Sequence, residues 1–267
     1  MILASKPPPT VLAAFGLAGP AVRLLGGQGL SWRVGEVILK PHADPKFQEW
    51  LGTEVASIQQ RDFRLPPVRR AWNGAWVFEG WAAQSAVPGS TAQEGVADWR
   101  SVIDAARDLH AATAALARPA FLDLRTDPWA RADRAAWGEA PREIRPELLE
   151  IVERLDAVLS PLGPAQLVHG DLTNNVLFVP GGPSSIIDLS PYWRAPSYAE
   201  GIVIADALCW HAATPKILEE VEVPIAAVAR GLLFRVLTAS KVHQQQQSAE
   251  LVEEAQRYQS VVAALDL

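Results

Sequence analysis

Three side chains that carry oxygen donors stand close together in one stretch of the sequence, and their types suit phosphate chemistry. Asp171 follows His169-Gly170, Asn175 comes shortly after it, and Asp188 lies beyond the next apolar run. One carboxylate can accept a proton, while a second carboxylate and an amide oxygen can hold a hard cation such as Mg²⁺. Phosphoryl transfer requires a cation on the phosphates, a base near the acceptor hydroxyl and an aligning pocket. The three residues therefore point to phosphoryl-transfer chemistry.

A predicted β-hairpin brings these residues together. Two short apolar runs, at 176–179 and 185–189, are separated by a turn rich in proline and glycine. We expect Val176 to lie roughly opposite Asp188, which places Asn175 and Asp188 at the open end with backbones about 5 Å apart. Taken singly, an asparagine or aspartate beside a hairpin more often closes the turn than binds a metal. The order of all three residues around one hairpin favours the site.

The segment HGDLTNNVLF, followed by IIDLS, is similar to the catalytic loop and metal-binding segment of the aminoglycoside phosphotransferase and choline-kinase-like families. These families are relatives of the protein kinases. The resemblance implies that Asp171 is the catalytic base, that His169 belongs to the catalytic set as the organiser of its loop, and that Asn175 and Asp188 hold magnesium. It also implies that Asp206, in the run IVIADAL, braces the catalytic loop. The alternative for Asp206 is a helix-surface or capping residue.

The spacing in this loop departs from the family pattern, which usually places four residues between the aspartate and the asparagine. Only Leu172, Thr173 and Asn174 lie between Asp171 and Asn175. We take Asn175 as the metal ligand because it directly precedes the first apolar run of the predicted hairpin. Asn174 is the alternative.

The first third of the chain carries residues that the resemblance assigns to nucleotide binding. Gly27 and Gly29 lie in a glycine cluster between two predicted strands, where a backbone without Cβ atoms can approach phosphates. Lys40 ends an apolar run at the position of the family's nucleotide-binding lysine. Glu54, in the next predicted helix, is its implied ion-pair partner in a nucleotide-bound state. Glu49 is the alternative partner.

Two further assignments rest on the resemblance. The hinge that would hold adenine by backbone hydrogen bonds is assigned to Phe78–Trp81, with Glu79 and Trp81 as nucleotide contacts. Arg194 ends the segment SPYWR, which together with DPWAR at 127–131 resembles an actinobacterial branch of the superfamily. We expect Arg194 either to contact phosphate or substrate, or to pair with a surface acid.

The elements around these motifs change character near Gly80. Residues 1–80 show short β-type runs around one helical segment, and we expect a five-stranded antiparallel sheet with one helix. Residues 81–93 are small and turn-forming and are expected to form a hinge and linker. Residues 94–267 show apolar residues every three or four positions, which predicts helices. Because strands precede helices without βαβ alternation, we expect an α+β chain with a bilobal protein-kinase-like fold, a small β-rich N-lobe and a larger, mainly helical C-lobe. The strands are predicted at 22–25, 32–34, 37–39, 68–72 and 76–78, the helix at 45–60, and a hairpin turn at Asn73-Gly74.

The bulk composition excludes several classes of protein. The chain has 267 residues, of which 49% are hydrophobic and 20% charged, as in globular domains. A net charge of −6 without any basic run argues against a nucleic-acid or membrane partner. No apolar run approaches the roughly 18 residues that span a bilayer, and the N-terminus lacks the apolar core of a signal peptide, so we expect a cytoplasmic protein. The single cysteine, Cys209, is expected to be buried and excludes an internal disulfide.

The resemblance implies an ATP- and magnesium-dependent kinase that acts on a hydroxyl group of a small molecule, such as an antibiotic, a sugar or a metabolite. GTP is an alternative donor. A different class of function is a nucleotide-binding pseudokinase that acts as a regulatory or interaction module, which the short Asp171–Asn175 loop favours. Retention of both Asp171 and Asp188 favours the enzyme, because nucleotide binding alone needs no base. A protein kinase is disfavoured, because no activation segment with a recognisable closing motif is present.

Overall fold

The computed structural model of the chain describes residues 6–24, 29–92, 98–242 and 249–267. Within these ranges the chain is an α+β protein with a β-sheet lobe followed by a mainly helical lobe, which confirms the predicted fold class. The strands are β1 (Val22–Arg23), β2 (Trp32–Val34), β3 (Val37–Lys40), β4 (Phe63–Arg64), β5 (Val68–Arg69), β6 (Val77–Phe78), β7 (Trp81–Ser85), β8 (Gln166–His169), β9 (Val176–Leu177), β10 (Ser184–Ile186) and β11 (Pro191–Arg194).

The first lobe is an antiparallel sheet with the order β1-β2-β3-β7-β5, in which β6 also pairs with β7. Val37 and Leu39 on β3 alternate with more exposed neighbours, so one face of the strand is buried. Val11 and Ala14, on a short helix α1 (Pro9–Ala14), belong to the same buried cluster. The sheet and α1 therefore share a small core of their own.

The structure corrects four predictions about this lobe. The helix predicted at 45–60 ends at Thr53 and is followed by a 3-10 turn at Val55–Ser57. The five predicted strands are present, but a sixth, β7 at Trp81–Ser85, lies inside the sheet where the sequence predicts a linker. Strands are rich in β-branched and aromatic residues, whereas β7 contains two adjacent alanines, so the sequence does not predict a strand there. The helix α1 was not predicted, because six residues are too few for a helical spacing of apolar residues to be recognised. A turn does form at Asn73-Gly74, where Gly74 has φ +82°, but the flanking strands pair with β7 and not with each other.

The second lobe is built from helices around one large core. The helices of the chain are α1 (Pro9–Ala14), α2 (Pro45–Thr53), α3 (Trp99–Thr113), α4 (Pro128–Ala136), α5 (Leu149–Asp156), α6 (Pro196–Trp210), α7 (Ile217–Val221), α8 (Ile225–Val242) and α9 (Ala249–Ala264). The sequence begins several of them with recognisable signals: Asp98 and Asp127 cap α3 and α4, and Pro196 occupies the first turn of α6. In the part of the chain that is described, no helix combines the length and apolar character that a bilayer crossing needs.

The helices α6 and α8 cross at very short distance through two glycines. A Cβ on Gly201 would lie 2.1 Å from the carbonyl oxygen of Ala227, and one on Gly231 would lie 2.6 Å from the backbone of Gly201. Only hydrogen atoms fit at this crossing, so both positions require glycine. The close approach sets the distance between side chains farther along the two helices.

Two elements from the first 80 residues pack on the helical lobe. The strand β4 pairs in parallel with β10, and Phe63 of β4 is buried in the core of the helical lobe. Trp50 of α2 packs against Phe121 and shares a buried cluster with Leu167. The packing therefore does not divide at the predicted lobe boundary, residue 80. The sheet of the first lobe continues to Ser85, and β4, although it precedes residue 80, packs with the helical lobe.

Candidate active site

The hairpin that carries the three oxygen donors is present, but with a different register. Ile186 lies opposite Val176, so the predicted pairing of Val176 with Asp188 is wrong by two residues. The last backbone hydrogen bond between the two hairpin strands runs from the N–H of Ile187 to the carbonyl of Asn175, at 2.8 Å. Asp188 follows with a left-handed backbone, φ +51°. Non-glycine residues rarely adopt this conformation, and such strain clusters at functional sites.

His169 holds the backbone of the catalytic loop from inside. It is fully buried, its Nε2 lies 3.1 Å from the carbonyl of Ile187, and its Nδ1 accepts from the N–H of Asp171 at 3.1 Å. One neutral tautomer, with the proton on Nε2, satisfies both contacts. Burial lowers the pKa of His169, which keeps this neutral form. His169 thus organises the loop from a fully buried position, and of the predicted catalytic pair only Asp171 faces solvent.

Asn175 contacts Asp171 directly. Its Nδ2 donates to the Asp171 carbonyl at 2.7 Å and to the Asp171 carboxylate at 3.2 Å. Asn174 is exposed and makes neither bond. The shortened loop closes through the N–H of Asn175, which donates to the carbonyl of Leu172 at 2.9 Å. Of the two candidate asparagines, the structure therefore brings Asn175 to Asp171.

Asp206 on α6 contacts the loop that follows Asp171 and holds it against the helices. Its buried carboxylate accepts from the hydroxyl of Thr173 at 2.7 Å. It also accepts from Nε of Arg235 at 2.7 Å and from a terminal nitrogen of Arg235 at 2.6 Å. The capping alternative for Asp206 is wrong, because its partners lie on the loop and on another helix.

Arg235 is a site residue that the sequence reasoning missed. It lies on α8, and a terminal nitrogen reaches the carboxylate of Asp171 at 3.4 Å. Burial acts to lower the pKa of Arg235, but the carboxylates of Asp206 and Asp171 outweigh it, so the pKa is raised. A signal was present in the sequence, since an arginine inside the apolar run LLFRVL must find a buried partner.

Lys40 forms its ion pair with Asp188 and not with Glu54. The ammonium of Lys40 contacts Oδ1 of Asp188 across the cleft between the lobes. Glu54 lies exposed at the C-terminal end of α2, and Glu49 is exposed as well. Among the described residues no ion pair joins Lys40 to either glutamate. The Lys40–Glu54 pair of a nucleotide-bound state stays a prediction.

The hinge assigned to Phe78–Trp81 is wrong. Glu79 and Gly80 have φ of +48° and +77° and form the two-residue turn between β6 and β7, inside the sheet. The carboxylate of Glu79 accepts from the hydroxyl of Thr10 at 2.8 Å, and Trp81 is buried in the core of the sheet lobe. Neither residue lies in a segment that links the lobes.

The chain crosses between the lobes after β7. Ser90 exchanges backbone hydrogen bonds of 3.1 and 2.8 Å with Phe178 of the helical lobe, so the crossing segment is 86–90. In the glycine cluster, Gly27 lies outside the described residues. Gly29 has φ +64°, and its carbonyl accepts from Nε of Arg23 at 2.7 Å.

Arg194 pairs with acids, which is the second of its two expected roles, although one of the acids, Asp133, is buried and not on the surface. Its Nε and one terminal nitrogen contact the buried carboxylate of Asp133 at 3.2 and 2.7 Å. Both terminal nitrogens also contact Glu139, at 2.6 and 2.7 Å. Burial alone would lower the pKa of Arg194, but the two acids raise it. All its donor nitrogens are therefore engaged within the protein.

Comparison with known protein families identifies the family of this chain. Residues 11–192 match the model of the phosphotransferase enzyme family. The chain is a member of that family. No curated protein matches the sequence at a significant level.

Several solved phosphotransferases share the fold. A thermostable mutant of aminoglycoside phosphotransferase APH(4)-Ia, in a complex with ADP and hygromycin B, is 15% identical, with TM-score 0.58 and coverage of 96% of this chain and 97% of that one. Spectinomycin phosphotransferase APH(9)-Ia, in complex with ADP and spectinomycin, is 13% identical, with TM-score 0.59 and coverage of 96% and 91%. A choline/ethanolamine kinase family protein from Mesorhizobium loti is 16% identical, with TM-score 0.59 and coverage of 97% and 91%. At these identities the likeness shows the fold.

In this phosphotransferase, Asp171 faces a cavity of about 370 Å³ in the helical lobe. The floor is formed by the loop at 171–174 and by the ion pair of Arg235 with Asp206. The walls come from the C-terminal ends of α6 and α8 and from the middle of α9. The lining residues are Asp171, Thr173, Asn174, Asp206, Trp210, His211, Arg235, Thr238, Ala239, Val242, Glu254 and Tyr258. The cavity is large enough for a small organic molecule beside Asp171.

Proposed function

We propose that the chain transfers a phosphoryl group from ATP, with Mg²⁺, to a hydroxyl group of a small molecule bound in the Asp171 cavity. The observation that carries the proposal is the position of Asp171. Its half-exposed carboxylate lines the cavity, and Asn175 on one side and Arg235 on the other hold it in place. A general base must lie within hydrogen-bond reach of the proton that it accepts, and this cavity offers that reach to a bound hydroxyl.

The donor set at the hairpin suits magnesium. Because Nδ2 of Asn175 donates to Asp171, the amide oxygen is the free end of that side chain. The carboxylate of Asp188 supplies a second hard oxygen close by. Among the described residues, no group of three or more His, Cys, Asp or Glu side chains gathers to hold a metal. Phosphate oxygens and water would therefore complete the coordination, as is common for Mg²⁺, and the ion would neutralise charge on the phosphates.

The remaining residues supply binding and alignment. Lys40 would hold the phosphates of the nucleotide, since its ammonium already lies at Asp188. His169 fixes the loop backbone, and Asp206 fixes Thr173 in the same loop. The segment 86–90, which crosses between the lobes, takes the place of the discarded hinge as the proposed adenine contact.

The charge of the cavity favours an acceptor that carries a positive group. Asp206 neutralises Arg235, which reaches Asp171 only at 3.4 Å, so the carboxylates of Asp171 and Glu254 leave the cavity wall with a net negative charge. The exposed ring of Trp210, which packs on buried Tyr258 with centroids 5.9 Å apart, adds aromatic surface to which a cation is attracted. A hydroxylated amine fits this lining better than an anionic sugar.

The test is an ATP-consumption screen over a panel of hydroxylated small molecules, with and without an amino group, using Asp171→Asn as the control. Turnover with an acceptor that is lost in the control supports the proposal. If Mg²⁺ and ATP bind and no acceptor is turned over, the protein is a nucleotide-binding pseudokinase. If calorimetry shows no nucleotide binding, both functions are rejected.

A further inference from the structure

Arg235 has more partners than charge balance requires. Its side chain is 14% exposed, and the buried carboxylate of Asp206 holds it through two nitrogens at 2.6 and 2.7 Å. One carboxylate in this two-point geometry is enough to neutralise one guanidinium. The terminal nitrogen that contacts Asp206 nevertheless reaches a second carboxylate, that of Asp171, at 3.4 Å.

The two oxygens of Asp171 are held by different neighbours. Oδ1 lies against Arg235 and Oδ2 accepts from Nδ2 of Asn175. The first contact is long for a hydrogen bond, so it acts mainly through the attraction of opposite charges. Together the two contacts fix the plane of the carboxylate, which otherwise rotates freely about the Cβ–Cγ bond.

The packing of the helical lobe supports this arrangement. The crossing of α6 and α8 at Gly201 and Gly231 brings the two backbones into contact. Asp206 and Arg235 lie farther along the same helices, so they meet at hydrogen-bond distance beneath the loop. From there the guanidinium extends past Asp206 to Asp171.

We propose that Arg235 is a positioning residue for the catalytic base: it orients the carboxylate of Asp171 toward the acceptor cavity. The inference rests on the proposed phosphoryl transfer and adds a residue to it. A competing explanation gives Arg235 the single task of neutralising Asp206. The two explanations differ in what happens when both buried charges are removed together.

The experiment compares Arg235→Gln with the paired variant Arg235→Gln/Asp206→Asn. The single variant leaves Asp206 charged and unpaired, so it should lower Tm strongly. The paired variant removes both charges and should recover most of the Tm, since an asparagine still accepts from Thr173. If Arg235 positions Asp171, kcat of the paired variant stays about 10- to 100-fold below wild type with unchanged affinity for magnesium–nucleotide. If kcat recovers together with Tm, the inference is overturned.

A matched control lies on the same helix. Arg230 donates to the carbonyl of Ala136 at 2.7 Å and stacks on Trp137, away from the cavity. Arg230→Gln should leave kcat unchanged even if Tm falls. A crystal structure of the paired variant makes the test independent of turnover. The inference holds if the Asp171 carboxylate leaves its position, and it fails if the carboxylate stays in place, whether or not the proposed acceptor activity is found.

Discussion

Lys40 of the sheet lobe and Asp188 of the helical lobe form an ion pair across the cleft. Both side chains are partly exposed, so the pair contributes little to the stability of the fold. In the proposed reaction Lys40 would bind the nucleotide phosphates and Asp188 would bind magnesium. Nucleotide binding should therefore exchange this pair for contacts of each residue with the ligand, and Lys40 would become available to Glu54.

Lys40→Ala should weaken magnesium–ATP binding by about 10- to 100-fold, since a charge-assisted contact to phosphate contributes roughly 1.5–3 kcal/mol. Isothermal titration calorimetry measures the change. Glu54→Gln is the informative companion, and a smaller loss of affinity in it would support a Lys40–Glu54 pair in the bound state. Wild-type affinity in Lys40→Ala would remove Lys40 from the site.

Asp188→Asn should abolish the dependence of nucleotide binding on magnesium. The substitution keeps the size of the side chain but removes the charge that would hold the ion. Calorimetry with ATP in the presence of Mg²⁺ and then of EDTA gives the comparison. The prediction is wrong if magnesium still strengthens ATP binding as much as in the wild type.

Asp171→Asn should lower kcat by about 10²- to 10⁴-fold and leave magnesium–ATP affinity nearly unchanged, because a positioned base contributes that much to turnover and little to nucleotide binding. Steady-state kinetics with the best acceptor, alongside calorimetry, separates the two effects. Equal losses in kcat and in nucleotide affinity would mean that Asp171 holds the nucleotide.

Gly201→Ala should destabilise the protein by several kcal/mol, as expected when a buried methyl group is forced into a closely packed backbone. The new Cβ would lie 2.1 Å from the carbonyl oxygen of Ala227, so α6 and α8 must separate. Chemical denaturation measures the loss. Gly182→Ala is the control, because its Cβ would meet nothing closer than 3.7 Å, and it should fall within about 0.5 kcal/mol of wild type.

His110 should make the protein less stable as the pH falls below about 6.5. Burial, together with the neighbouring His169, lowers the pKa of His110 to about 3. Between those two values the unfolded chain binds a proton that the folded chain does not, so unfolding becomes easier by up to about 1.4 kcal/mol per pH unit. Urea titrations between pH 5 and 7.5 should show a slope that His110→Gln reduces by about one proton. An identical slope in the variant would contradict the assignment.

The order of motifs could be predicted from the sequence, but the geometry of neighbouring segments could not. The catalytic loop was recognisable because His169, Asp171 and Asn175 lie within seven residues of one another, and short separations leave few arrangements. The register of the hairpin was not, because a shift by two residues keeps every side chain on the same face of the strand, so the alternation of side chains does not distinguish Ile186 from Asp188 as the partner of Val176.

Contacts between segments that are distant in the sequence could not be predicted, for a different reason. Arg235 and Asp206 meet where two glycines bring α6 and α8 together, and no local pattern encodes that crossing. The hinge was misplaced because the alanines of β7 do not resemble a strand. The pairing of β7 with three other strands stabilises it nonetheless.

The parallel pairing of β4 with β10 has a consequence for how the two lobes can be separated. Phe63 fills a site in the helical core from a position far earlier in the chain, and β4 covers the edge of the strand that precedes Asp188. A fragment that begins at residue 86 would lose this side chain, at a cost of roughly 3–5 kcal/mol, and would expose an unpaired strand edge. The two lobes are therefore not separate in the chain: the segment that completes the core of the helical lobe precedes the last strands of the sheet lobe, and we expect the two lobes to fold as one unit.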